Sequence, residues 1–428
     1  MALKPKVYAA HLSMRCSSLH KKQHAHFRAS ESMNPRTLSR AVPGRYILPF
    51  LIGGLFASVS LGQTPGMPQS GSQSTRFDND FNPAIGMVLD LAGTFVDAES
   101  SAADGFELSL RSTELSFSSW VDPTAWAYAN VVFAKDEIAL EEGAVHYVGF
   151  EGNTTLRAGR FFVDFGKQMQ AHMHALRTFD RPAVLRAFLG SELGGDGMQY
   201  DSWTTAGEAT IVRWSLGAFN SLVTESDAEL PSESAFRPSL SELALTARLT
   251  GYADVSESST LQIGASMRYL PDFEIHDEAN DVKAIGLSNT VFGLDATWGW
   301  LDDTNTKGWT AGMEWLAMKG DMYGESLDLG GGNFAVTPIN DSAMGYYVFV
   351  DRVMDKSNSA GVQFSSVELP QAGMPRLGEF DAYFTHKPTE FQRLRYGLTL
   401  SESEGQEEAR LSVQYTLFLG PHAHGVQF

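Results

Sequence analysis

Beyond residue 85 the chain is organised by a period of two. In Leu261–Tyr269, the side chains of Leu261, Ile263, Ala265, Met267 and Tyr269 share one face of an extended backbone, while Gln262, Gly264, Ser266 and Arg268 share the other. Leu394, Tyr396, Leu398 and Leu400 oppose Arg393, Arg395, Gly397 and Thr399 in the same way. Near the end, Leu411, Val413, Tyr415, Leu417 and Leu419 oppose Arg410, Ser412, Gln414 and Thr416. A helix would scatter these residues around its circumference, so the pattern predicts strands with one apolar and one polar face.

Sixteen such segments follow one another, near residues 85–98, 105–119, 123–135, 139–151, 154–166, 196–205, 208–220, 239–252, 258–270, 286–299, 307–322, 343–353, 358–369, 376–386, 391–402 and 407–419. An even number suits a single-chain barrel with both ends on one side of a membrane. Tight turns are expected at Asp122-Pro123, Gly152-Asn153, Ala206-Gly207 and Lys387-Pro388, and longer connectors at 221–237, 271–285 and 323–342. Short turns on one side and long loops on the other give the barrel its orientation, turns to the periplasm and loops outside. Val362 and Phe364 fall out of phase with Val367 and Leu369, by either a bulge or a wrong boundary. The expected fold is all-β, a closed antiparallel transmembrane barrel of about sixteen strands, with fourteen or eighteen as alternatives.

The 428 residues show no Pro-rich or charged linker after about residue 85, so one domain is the economical reading. With 43% hydrophobic residues, the chain has no stretch after residue 62 approaching the ~20 apolar residues of a membrane helix. The one long apolar run, Ile47–Val59, follows Arg36, Arg40 and Arg45 and precedes Ser60-Leu61-Gly62, the layout of a secretory signal cleaved after Gly62. A signal starting at Met33 has normal length, which places residues 1–32 before the natural start; an extended n-region is the alternative. The only cysteine, Cys16, lies upstream of that cleavage, so an exported barrel over 85–428 would hold together without thiols. Residues 63–84 begin with a Gly-, Pro-, Ser- and Gln-rich run and read as a flexible periplasmic leader. Trp120, Trp126, Trp203, Trp214, Trp298, Trp300, Trp309 and Trp315 mostly fall near strand ends, where a membrane interface favours them.

Removing the nine Lys/Arg and one Asp/Glu of residues 1–62 leaves 23 basic and 50 acidic residues, a formal charge of −27. Charges lining a constriction matter more for selectivity than this total. The face assigned to the lumen carries Arg213, Arg248, Arg268, Arg393, Arg395 and Arg410 against Glu107, Asp295, Asp351, Glu379 and Asp381. Those arginines either set a local field or pair with the acids and brace the wall. The excursion Lys167–Gly194 adds Lys167, Arg177, Arg181 and Arg186 against Asp180 and Glu192, a slight lean toward anions. Its Phe179, Leu185, Phe188 and Leu189 must bury apolar surface somewhere. His172 and His174, and likewise His422 and His424, stand at i and i+2 and would serve Zn²⁺ if further ligands joined them; loop histidines without such a role are the commoner case.

The chain also resembles a known family. Gly159–Phe165 (GRFFVDF), His172-Met-His174, Phe179-Asp-Arg-Pro182, Leu185-Arg-Ala-Phe-Leu189 and Gly195-Asp-Gly-Met-Gln199 are similar to porin-type proteins labelled zinc-regulated outer-membrane proteins. Gln414-Tyr-Thr-Leu-Phe-Leu-Gly-Pro-His422 resembles that family's ending, and looser matches at Asn82-Pro-Ala-Ile85, Gly105–Leu108 and Val121–Pro123 extend over the rest of the chain. The resemblance implies kinship with phosphate-selective porins, which are sixteen-stranded, and an inward-folding loop at 167–194 that narrows the channel. The zinc in the label describes control of expression, which need not mean binding. The words TonB-dependent receptor sometimes attached to the family do not fit, because the 366 residues after Gly62 are used up by sixteen strands and their loops, leaving none for a plug.

No HExxH, GxSxG or phosphate-loop spacing occurs, and the acidic balance disfavours nucleic acid. The expected protein is therefore not an enzyme. It is a bacterial outer-membrane porin passing small hydrophilic solutes or ions with a weak anion preference, phosphate among the candidates. Its partners are outer-membrane lipid, lipopolysaccharide and the permeating solutes, with a homotrimer among the assemblies it allows. A non-conducting structural or surface-binding barrel and a metal-related uptake channel are the alternatives. No cofactor is called for apart from the zinc considered at the histidines.

Overall fold

The alternating segments become the staves of one closed sheet. A computed structural model describes residues 83–98, 104–134, 137–207, 210–220, 222–224, 239–277, 280–403 and 405–420. The expected signal, the leader up to residue 82 and the His422/His424 pair lie outside the described residues. The strands are β1 (Ala84–Ala98), β2 (Gly105–Asp122), β3 (Ala125–Ala134), β4 (Glu137–Tyr147), β5 (Thr154–Phe162), β6 (Leu193–Thr205), β7 (Thr210–Phe219) and the two-residue β8 (Val223–Thr224). They continue with β9 (Ala244–Ser256), β10 (Ser259–Asp277), β11 (Val282–Leu301), β12 (Gly308–Gly330), β13 (Asn333–Val353), β14 (Asn358–Glu368), β15 (Arg376–Thr389), β16 (Gln392–Ser403) and β17 (Gln406–Leu419).

Each stave pairs antiparallel with its neighbours, and β1 pairs with both β2 and β17. Where β8 forms only a short patch beside β6, β7 pairs directly with β9, so sixteen staves close the ring. Closure leaves no unpaired edge in lipid. Exposure is inverted relative to a soluble protein. Ile263 is 56% exposed while Arg268, on the other face of the same strand, is 4% exposed. Likewise Tyr396, Leu400, Leu411 and Val413 face out, and Arg393, Arg395, Gln414 and Thr416 are buried within. Trp120, Trp203, Trp214, Trp298 and Trp309 point outward near the turn ends of their strands. Trp126 instead turns inward and stacks on Tyr128, ring centroids 5.1 Å apart.

Several expected boundaries move. The connectors expected at 271–285 and 323–342 are mostly strand: β10 to β13 run 19, 20, 23 and 21 residues and project past the band that roughly ten residues would span. Water bathes both faces of those extensions, so they lack apolar alternation and read as loops. The longest hairpin turns at Gly330, Gly331 and Gly332, all at positive φ, a conformation glycine adopts without strain. Lys387-Pro388 lies inside β15, and the turn falls at Glu390-Phe391. The phase break on β14 is neither a bulge nor a boundary error, since its register with β13 and β15 is continuous. Val362 faces lipid and Val367 is fully buried because something inside the barrel packs on it.

That something is the excursion. β5 ends at Phe162, four residues earlier than the expected 166, and Phe161, Phe162, Val163 and Phe165 are all buried as the chain turns into the lumen. It carries a single 3-10 turn at Met173–Ala175 and helix α1 (Ala183–Leu189), whose first residue follows Pro182, and returns at Leu193. Val184, Leu185, Phe188 and Leu189 pack with Val291, Leu316, Met318, Tyr347, Phe349 and Val367 on the inner wall. The hydrophobic core of the described residues thus sits inside the barrel, much of it between the loop and β11–β14.

Candidate functional site

The loop is fastened around the lumen by contacts that its local chemistry dictates. It enters at Asp164, which accepts from Arg213 Nη1 at 2.6 Å and Ser215 Oγ at 2.7 Å and lies 3.6 Å from Arg248 Nε. Burial would raise the Asp164 pKa, but the two guanidinium groups hold it below the usual range. Gly166 follows at φ 57°, where a Cβ would be strained and would run into the Glu314 carboxylate, so glycine eases the chain past this point of β12. Gly166 N donates to Ser266 Oγ at 3.0 Å, Lys167 N to Glu314 Oε2 at 3.3 Å, and Lys167 Nζ to Gln262 Oε1. Burial, and then the nearby Arg177 charge, push the Lys167 ammonium down to about 8.

Further along, Arg177 Nε donates to Asp351 Oδ2 at 2.6 Å and its guanidinium lies 3.8 Å over the Phe349 ring. Asp180 is held by Arg111 Nη2 at 3.2 Å and Arg410 Nη2 at 2.8 Å. Arg181 is fully buried, donating to the carbonyls of Gln168, Ala171 and Ser191, so it shapes the loop from within. Arg186 reaches Glu379 on β15, and Val184 N donates to Ser365 Oγ on β14 at 3.2 Å. Glu192 is buried where the loop returns to β6.

The wall arginines divide into two groups. Arg213 and Arg248 are paired with carboxylates, Arg213 to Asp164 and Asp201, Arg248 to Asp295 at 2.7 Å. Arg268, Arg393 and Arg395 instead hold neutral acceptors: Arg268 takes Asn289 and the Phe188 carbonyl, Arg393 the His174 carbonyl and Thr416, Arg395 the Thr178 carbonyl and Gln414. Of the lumen acids, Asp295, Glu379 and Asp381 are buried, whereas Glu107 is exposed near the outer end of β2. Pairing with acids, one of the alternatives left open by the sequence, holds for Arg213, Arg248 and Arg410.

His172 and His174 are brought together with residues that sequence reasoning missed. His172 Nδ1 lies 2.8 Å from Glu141 Oε2 and 3.4 Å from Glu114 Oε2, and its Nε2 lies 3.0 Å from Glu142 Oε2. His174 Nδ1 is 3.3 Å from Glu114 Oε2. Burial alone would lower the His172 pKa, but Glu141 and Glu114 outweigh it and hold the imidazole well above its ordinary value. Arg111 and Glu141 escaped notice because each is the extra residue of a β-bulge. In β2, Leu110 pairs with Leu91 and Ser112 with Asp90; in β4, Leu140 pairs with Val131 and Glu142 with Asn130.

A barrel of sixteen staves, apolar outside and polar within, with the connector after β5 folded inward, decides the comparison with solved structures. The fold is that of the outer-membrane porins. OmpT of Vibrio cholerae superposes with a TM-score of 0.51 at 9% identity over 81% of this chain and 99% of its own. An anion-selective porin from Comamonas acidovorans matches with a TM-score of 0.51 at 9% identity, covering 79% and 99%. OprB of Pseudomonas putida gives 0.50 at 10% identity, covering 79% and 94%. No protein-family model matches the chain, and no curated protein matches it at the level of sequence. At such identities the porin likeness is one of fold.

Proposed function

We propose that this chain is a porin-type channel of the bacterial outer membrane that passes small hydrophilic solutes or ions, narrowed by the loop between Phe162 and Leu193. The observation that carries this reading is the set of ties from that loop to β2, β12, β13, β15, β16 and β17, which hold it across the inside of the barrel rather than outside it. A weak preference for anions goes with it, phosphate among the candidates, because Arg268, Arg393 and Arg395 on the inner wall hold neutral acceptors rather than carboxylates. The Comamonas neighbour, named as anion-selective, points the same way. Lipid and lipopolysaccharide would surround the apolar band, and crosslinking in membranes would show whether copies form a trimer.

The test is conductance in a planar bilayer. The parent protein should form discrete channels with a reversal potential on the anion side in a salt gradient, and deletion of Ala183–Leu189 should raise single-channel conductance. A second reading, a closed barrel with a structural or surface-binding role, is favoured by the same ring of ties. A folded, inserted protein that stays silent until the loop is deleted would establish it.

A further inference from the structure

We propose that Glu114, Glu141 and His172 form a site for one divalent transition-metal cation, with water as the fourth donor, that fastens the inward loop to the barrel wall. The three named residues come from β2, β4 and the loop, and their donor atoms all lie within 4.8 Å of one another. A tetrahedral zinc with bonds of about 2.0–2.1 Å has neighbouring donors about 3.3 Å apart. Glu114 Oε2 is already 3.4 Å from His172 Nδ1. Glu141 Oε2, 2.8 Å from His172 Nδ1, needs to draw back by only about half an ångström to fit that geometry.

The surroundings point to a metal independently of those distances. Glu142 accepts from Tyr128 Oη at 3.0 Å, Asn130 Nδ2 at 3.2 Å and Phe162 N at 3.0 Å, and its other contact is His172 Nε2. A fixed carboxylate on one ring nitrogen is how metal-binding histidines are commonly oriented, which leaves the second nitrogen for the ion. The bulge in β4 is what lets the adjacent residues Glu141 and Glu142 both reach this one ring. Three carboxylates stand here at 3%, 14% and 3% exposure, buried negative charge that a divalent cation would offset in place of the His172 proton. Imidazole and carboxylate donors without thiolate suit Zn²⁺ and neighbouring first-row ions. The site stands whether or not the lumen conducts.

The experiment uses the full exported chain in detergent, stripped with chelator and titrated with Zn²⁺. One zinc per chain should remain after desalting. Glu141→Gln and His172→Gln should each weaken binding about 100-fold, and Glu142→Gln about 10-fold, with His276→Gln, on the distant β10 extension, unchanged. Retained heat-modifiability on gels would show that each variant is folded. Should the variants fail to fold, Co²⁺ loaded into the parent protein should give the intense visible bands of a four-coordinate nitrogen and oxygen site. A folded parent that takes up no zinc, variants that bind as tightly as the parent, or a Co²⁺ spectrum like that of the hydrated ion would each overturn the proposal.

Discussion

Arg186 and Glu379 lie 193 residues apart and meet inside the barrel in a two-pronged ion pair, Nη2 2.6 Å from Oε2 and Nη1 3.1 Å from Oε1. The pair ties α1 to β15, and both groups are largely out of water. Removing one partner of such a pair leaves a stranded charge, at a cost of about 3–5 kcal/mol. Arg186→Ala is therefore expected to lower the thermal midpoint of the folded barrel and to make single-channel currents flicker as α1 loosens. Adding Glu379→Gln should recover part of both losses. Unchanged stability and gating in Arg186→Ala would show that the tie does not hold the loop.

Gly166→Ala is expected to be disruptive although it adds one methyl group. The left-handed φ of 57° costs a non-glycine residue about 1–2 kcal/mol, and the new Cβ would also displace Glu314 from Lys167 N and from Tyr347 Oη, now at 2.9 Å. Thermal melts and loop proteolysis should both report the change. An alanine variant that melts with the parent would mean that the loop leaves β5 by another path.

Much of this architecture was readable from alternation alone, and the places where it was not share a cause. Sixteen staves followed from period two, because lipid and lumen impose opposite polarity on successive residues, as at Ile263 and Arg268. The upper halves of β10–β13 met water on both sides and lost that signature. Val367 broke the pattern because the wall there meets α1 rather than solvent, which only the fold reveals. At the site, the loop arginines and the two histidines were visible as residue types. Their partners were not: Arg111 and Glu141 sit in bulges, and Asp164 was counted inside a strand.

Selectivity offers a separate test. Arg393 and Arg395 on β16 point inward toward loop carbonyls and neutral side chains. Replacing both by Ser should move the reversal potential in a salt gradient toward cations, while Arg177→Ser, which breaks a pair with Asp351, should chiefly alter gating. Equal shifts from both changes would reject the division of arginines into field-setting and bracing groups.

Lys167 gives the loop a pH response. Its ammonium, ordinarily near 10.5, is pushed down to about 8 by burial and by Arg177. The docked loop thus bears the cost of a buried charge below about pH 8 and sheds it first as pH rises, so this group's contribution to docking is fully present above 10.5 and lost as pH falls through about 8. Between pH 7 and 10 the current should become quieter and anion preference should decline, as one positive charge disappears. Lys167→Met should flatten both trends, and a parent channel with no pH dependence over that range would count against the assignment.

The bulge in β4 also bears on how this chain tolerates insertions and deletions. In most barrel strands the loss of one residue turns every side chain beyond it from lipid to lumen, which is ruinous. Glu141 has no partner of its own in the ladder: Leu140 already faces out opposite Val131, and Glu142 already faces in opposite Asn130. Deleting Glu141 would leave an unbroken, regular strand with every neighbour correctly turned. The residue is dispensable to the barrel as a barrel, and a lineage that kept it through drift in length would be keeping it for what its carboxylate does.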